Sequence, residues 1–113
     1  MGLFSFGKKK EEKPVKELQK KPLADQIVFE KLVSDEDQYL TRLAEKLLIG
    51  QPLILNFEPL DIDQANKVIA FFSGVVFAVK GEIVHVQEKV FMFANQGVYE
   101  DGTIEDFLKE IVE

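Results

Sequence analysis

The side chains of this sequence that could do chemistry are few, and their spacing argues against catalysis. His85 is the only histidine, and no sequence neighbour would complete a base–nucleophile pair with it. The absence of cysteine excludes a thiolate nucleophile, a thiolate zinc site and a disulfide framework together. Asp61 and Asp63 make a carboxylate pair, but they open an apolar-periodic segment, where the helix dipole favours negative charge. Asp61 is therefore read as a helix cap rather than a general acid or base. Asp35, Glu36 and Asp37 stand before another such segment and lack the spaced ligands and loop glycine of a calcium loop. No GxGxxG, Walker A, HExxH or GxSxG pattern occurs. The expectation is a protein that binds rather than converts, with no cofactor and no metal site.

The features suited to binding lie at the N-terminus. Leu3, Phe4 and Phe6 form an apolar tip, followed at once by Lys8, Lys9 and Lys10. Burying a Leu or Phe side chain contributes roughly 1.5–3 kcal/mol, less when insertion is shallow. Each lysine beside an anionic leaflet adds about 1 kcal/mol. A tip of this kind attaches weakly and reversibly to anionic membrane lipids, and several tips on one oligomer gain by effective concentration. Myristoylation at Gly2 is not expected, because that motif wants Ser or Thr where Phe6 stands.

The charge balance supports this division of the chain. Residues 1–21 carry seven lysines against three glutamates, whereas residues 22–113 carry seven basic residues against seventeen acids. A basic tail on an acidic body seeks an anionic surface with the tail alone. Nucleic acid is a poor partner for such a body, and a single arginine leaves little capacity for groove reading. No apolar run approaches the ~18 residues of a membrane span, so the expected location is cytoplasmic.

The elements that must position these residues follow from periodicity. The 113 residues, 46% hydrophobic and 30% charged, suit one globular domain with a short tail. Residues 1–10 are read as an amphipathic membrane-targeting segment, 11–24 as a charged, proline-containing linker, and 25–113 as the body. Residues 26–33 read as a strand. A helix follows, with Ser34 and Asp37 as a capping box, Leu40, Leu43, Ala44, Leu47 and Leu48 as its stripe, and Gly50 as its stop. Leu53–Phe57 is an interior strand. Asp61 and Gln64 cap a second helix that is apolar over more than half its circumference, since Phe71, Val75 and Phe77 fall outside its main stripe. Residues 82–87 and 90–94 make a hairpin with two apolar faces. Thr103 opens a last helix with Ile104, Phe107, Leu108, Ile111 and Val112 on one stripe.

The order β-α-β-α-β-β-α implies a small two-layer α/β sandwich. Its surplus apolar surfaces, on the second helix and the hairpin, point to a homodimer. Gly74 within the second helix costs about 1 kcal/mol relative to Ala, which fits close approach by another helix.

From Leu53 to Ala78 the sequence resembles the SepF family of cell-division proteins. The resemblance rests on Leu60-Asp61, Gln64-Ala65, Phe72-Ser73-Gly74 and Phe77-Ala78, and continues through Gly81, Val90-Phe91 and Gly102-Thr103-Ile104. It covers roughly residues 26–108. Two positions depart from the family pattern: Gln87-Glu88-Lys89 stands where a glycine turn is frequent, and Asn95 where proline is. The resemblance implies a non-enzymatic adaptor that tethers FtsZ to the cytoplasmic membrane at the division site by binding its C-terminal tail. It implies a homodimer, with further assembly in many members. Leu3, Phe4 and Phe6 would enter lipid with Lys8, Lys9 and Lys10 on headgroups. Phe72, Gly74 and Val75 would lie at a subunit interface, and His85, Val86, Phe91 and Phe93 would form the groove for the FtsZ tail. The competing expectation is a small ligand-binding regulatory α/β domain, and a more remote one an enzyme working through His85 or Asp61.

Overall fold

The computed structural model describes residues 21–112, with side chains through residue 111; the tip, the lysine cluster and most of the linker lie outside them. A 3-10 turn, Leu23–Gln26, precedes β1 (Val28–Lys31), α1 (Asp37–Leu48), β2 (Leu53–Asn56), α2 (Ile62–Ala78), β3 (Glu82–Gln87), β4 (Val90–Ala94) and α3 (Thr103–Val112). The strands form one mixed sheet in the order β1-β2-β4-β3. β1 and β2 are parallel, which requires a crossover such as α1 supplies. β4 runs antiparallel to both β2 and β3.

The sheet is covered on both faces, so the sandwich has three layers rather than the two expected from sequence. On one face α1 and α2 bury Leu40, Leu43, Leu47, Val68, Phe72 and Val76 against Leu53, Leu55 and Phe93. On the other, α3 and the 3-10 turn bury Ile104, Leu108 and Leu23 against Ile54, Val86, Met92 and Ala94. The physical reason is simple: the second apolar face of the hairpin, assigned above to another subunit, is covered by this chain's own last helix. Leu23 and Ala24, placed in the linker by composition, are part of that cover.

An Asp101 clamp fixes the turn to α3. One carboxylate oxygen accepts from the Leu23 amide at 2.9 Å, and the other accepts from the Thr103 amide and hydroxyl at 3.0 and 2.8 Å. The Thr103 hydroxyl oxygen in turn accepts from the Ala24 amide at 3.0 Å. The amides of Leu23 and Thr103 hold the Asp101 carboxyl below its ordinary range.

Local signals in the sequence were met unevenly. The Asp61–Gln64 capping box forms with both reciprocal bonds, at 2.8 and 3.0 Å. At α1 the box does not form: the Ser34 hydroxyl accepts from the Glu36 amide at 2.9 Å, and Glu36 becomes the N-cap without a side-chain bond. The reason is a competing anchor. Tyr39 donates to Glu30 at 2.8 Å and accepts from the Val33 amide at 3.3 Å, which ties the helix to the end of β1, and Glu36 stays extended before it. Only Asp37 of the acidic trio enters the helix, where it meets Lys67 of α2 at 3.1 Å.

Helix α2 ends not at Gly81 but through Lys80, whose φ of 56° is left-handed. Gly81 serves a different need, because any Cβ there would overlap the backbone carbonyl of Ala94. The Gln87-Glu88-Lys89 departure is accommodated by a bulge between His85 and Gln87, with no residue of that turn at positive φ. Asn95 donates to the Leu47 carbonyl at the end of α1 at 3.2 Å, a bond no proline side chain could make.

Two glycines should therefore respond in opposite ways. Gly81→Ala should cost about 3 kcal/mol and lower the melting temperature by roughly 10 °C or more. Gly74→Ala should be neutral or stabilising by up to about 1 kcal/mol, because its Cβ meets nothing within 4 Å. Thermal melts at low protein concentration measure both.

A pH prediction follows from the two tyrosines. Burial, then a hydrogen bond to a glutamate (Glu30 for Tyr39, Glu82 for Tyr99), pushes both phenols up to about 12. Their contribution to stability is thus complete below the unfolded value near 10 and is lost as pH rises through 12. With no tryptophan and only these two tyrosines, tyrosinate absorbance should rise with a midpoint near 12 in the folded protein and near 10 in urea. A folded-state midpoint near 10 would contradict the partial desolvation of these phenols and their bonds to Glu30 and Glu82.

Candidate functional site

Strand alternation and register decide which proposed binding residues can share a surface. His85 lies opposite Phe91, and Ile83 opposite Phe93, all on the α2 side of the sheet. The His85 ring stacks on Phe91 with centroids 4.8 Å apart and planes at 28°. Its Nε2 lies 2.9 Å from the Glu88 carbonyl, so Nε2 carries the proton and donates. A ring held in this way presents an exposed face beside the hairpin turn, and its partners among the described residues are the Glu88 carbonyl and the Phe91 ring.

Val86 and Phe93 do not join that surface. Val86 points to the opposite face and is buried beneath α3. Phe93 is fully buried, with Phe72 at 5.4 Å and Phe57 at 6.1 Å between ring centroids. Of the four hairpin residues named from sequence, the fold brings His85 and Phe91 together and places the other two in its cores.

The second helix divides in the same way. Phe72 is fully buried and points into the first core, edge-on to Phe71 at 5.0 Å. Val75 is half-buried against that core, and Gly74 faces outward into open space. The outer face instead presents Phe77 and Ile62, which are 86% and 77% exposed. Phe77 was marked in the sequence as apolar off the main stripe; Ile62 was expected on that stripe, and its exposure in the first turn of the helix corrects that placement.

A second apolar surface was not anticipated. Phe29 on the edge strand β1 is 62% exposed and lies edge-on to Phe107 of α3 at 6.0 Å. Val33, just beyond the strand, is 71% exposed. Near the end of α2, a cleft of about 390 Å³ is lined by Lys80, Glu82, Tyr99 and Glu100 among others. Burial and a hydrogen bond to Glu82 push the Tyr99 phenol up to about 12, so it is protonated near neutrality. Among the described residues no group of His, Asp and Glu could hold a metal ion. Asp61 is engaged in its capping box, as expected. Among the same residues, no helix is long and apolar enough to cross a membrane.

Comparison with known proteins agrees with the resemblance noted from sequence. The family model described as cell division protein SepF matches residues 31–99. The SepF protein of Carboxydothermus hydrogenoformans is 30% identical over 81 residues, which are 72% of this chain and 57% of that one. Those of Lactobacillus gasseri and Brevibacillus brevis are 32% and 34% identical over 68 residues, which are 60% of this chain and 47% and 48% of theirs. The chain spans about half the length of the curated relatives it matches. The matched segment runs from the last residue of β1 into the loop before α3 and takes in both faces of the hairpin and all of α2. The chain therefore belongs to the SepF family of cell division proteins.

Proposed function

We propose that this protein is a non-enzymatic adaptor that tethers FtsZ to the inner face of the cytoplasmic membrane at the division site. The observation that carries this reading is the outer face of α2, where Phe77 stands exposed one turn from the open Gly74, with Ile62 exposed at the other end of the helix. An exposed Phe beside an open glycine suits a helix–helix contact between two copies, since the missing Cβ lets backbones approach. Self-association multiplies the N-terminal tips. A dimer carries two sets of Leu3, Phe4 and Phe6 for lipid, and two sets of Lys8, Lys9 and Lys10 for anionic headgroups.

The FtsZ C-terminal tail is assigned to the α2 side of the hairpin. There His85 and Phe91 supply the surface, and Phe93 supports it from beneath. Val86 acts only by fixing the strand, because it faces α3. In the trio proposed for self-association, Gly74 and Val75 are the contact positions and Phe72 their support.

The test is co-sedimentation with anionic vesicles in the presence of the FtsZ tail peptide. The full chain should carry peptide into the pellet. The full-length variant Leu3→Ser/Phe4→Ser/Phe6→Ser should bind peptide yet stay in the supernatant. If neither protein pellets nor binds peptide, the adaptor reading fails and a ligand-binding regulatory domain takes its place.

The self-association face has its own prediction. Gly74→Leu should leave the monomer folded, since the added side chain points into open space, but should roughly halve the mass seen by light scattering. An unchanged mass at the same concentration would remove α2 from the interface.

A further inference from the structure

The α3 layer does not cover the whole second face of the sheet. It packs mainly on the β3–β4 side and on the 3-10 turn, leaving the β1 edge as a shelf. Phe29 and Val33 stand exposed there, and the half-buried Phe107 of α3 forms its wall. We infer that this shelf is the docking site for the chain's own apolar tip, Leu3, Phe4 and Phe6, when the tip is not in lipid. The inference rests on reading that tip as the membrane-seeking element.

Three observations select this occupant. The first is where the tail emerges. The clamp at Asp101 and Thr103 fixes Leu23 and Ala24 to the start of α3, so residues 1–21 leave the body on the same side of the sheet as the shelf.

The second is reach. Seven Cα-to-Cα steps lead from Pro22 to Phe29, so the two are at most about 25 Å apart. Residues 7–21, taken as a coil, have a root-mean-square span of roughly 20 Å. A tether whose span matches the gap gives an effective concentration in the millimolar range, enough for a small apolar contact to form.

The third is charge. Asp106 and Glu110 are exposed on α3 beside and one turn beyond Phe107, against the cation Lys31 on that side of β1. A tip seated on Phe29 and Phe107 brings Lys8, Lys9 and Lys10 toward those carboxylates. The pairing of apolar tip and lysines that suits a membrane surface is thus matched by a smaller copy of that surface on the body. Docking on the shelf competes with lipid, which makes membrane attachment a switch rather than a fixed property.

Amide chemical shifts of the full chain without lipid test this directly, independently of whether the tip binds membranes. Comparison of wild type with Leu3→Ser/Phe4→Ser/Phe6→Ser should show differences concentrated at residues 27–33 and 104–111. In a Phe29→Gln background the same three substitutions should leave residues 104–111 unmoved; Phe29 is exposed, so this variant keeps the fold. Differences that persist on about tenfold dilution identify docking within one chain, whereas their loss on dilution identifies a second copy as the occupant and overturns the inference. Shifts unchanged beyond residue 23 overturn it as well. With vesicles of phosphatidylglycerol and phosphatidylcholine, Phe29→Gln should bind about fivefold more tightly than wild type if four-fifths of free molecules are latched. Equal affinity would deny the switch.

Discussion

The structure depends on one strand that is dry on both faces. Met92, Phe93 and Ala94 of β4 are each fully buried, although they point alternately to opposite sides of the sheet. A central strand of this kind demands a layer on either side, since an uncovered Phe or Met face forfeits roughly 1.5–3 kcal/mol per side chain. On one side the demand is met by Phe72 and Phe57 around Phe93. On the other, α3 brings Ile104 and Leu108 over Met92 and Ala94. The requirement for glycine at position 81 has the same origin, because the chain leaving α2 must pass against the Ala94 carbonyl to start β3.

This double burial explains what could and could not be read from the sequence. The elements themselves were legible, because their signals are local: the Asp61–Gln64 box, the Gly50 stop at φ 104° and the alternating hairpin all depend on neighbours in sequence. The number of layers was not. An apolar second face on the hairpin is equally consistent with a partner subunit or with a distant segment of the same chain, and nothing local distinguishes them. The failed box at Ser34 has a similar cause. A tyrosine that reaches back to Glu30 and Val33 overrides a capping pattern, and that contact is tertiary.

The candidate site was legible in part for the same reason. Alternation alone places His85 and Val86 on opposite faces, so a groove using both was physically inconsistent within one sheet face. Burial then separates the fully buried Phe93 from the half-buried Phe91, a distinction that depends on α2 lying over the sheet. On α2 the stripe located Val68, Phe72 and Val76 as inward and left Phe77 outward, but it also counted Ile62, which is exposed, and missed Phe71 and Val75, which pack on the core. Such residues are where a surface protein–protein contact draws its apolar area.

The arrangement of layers also bears on how a tether could work. The chain enters the body on the α3 side, where Asp101 holds the amides of Leu23 and Thr103 together. The exposed face of α2 and the His85–Phe91 stack lie on the opposite side of the sheet. On the adaptor reading, lipid attachment and protein contacts therefore occupy opposite faces and do not compete for surface. Because bonds from the amides favour the ionised form of Asp101, the clamp is intact near neutrality and weakens only as its carboxyl protonates in acid. A rigid entry point matters more than its small energy suggests. It fixes the side of the sheet on which the described chain begins, opposite the exposed face of α2 and the His85–Phe91 stack.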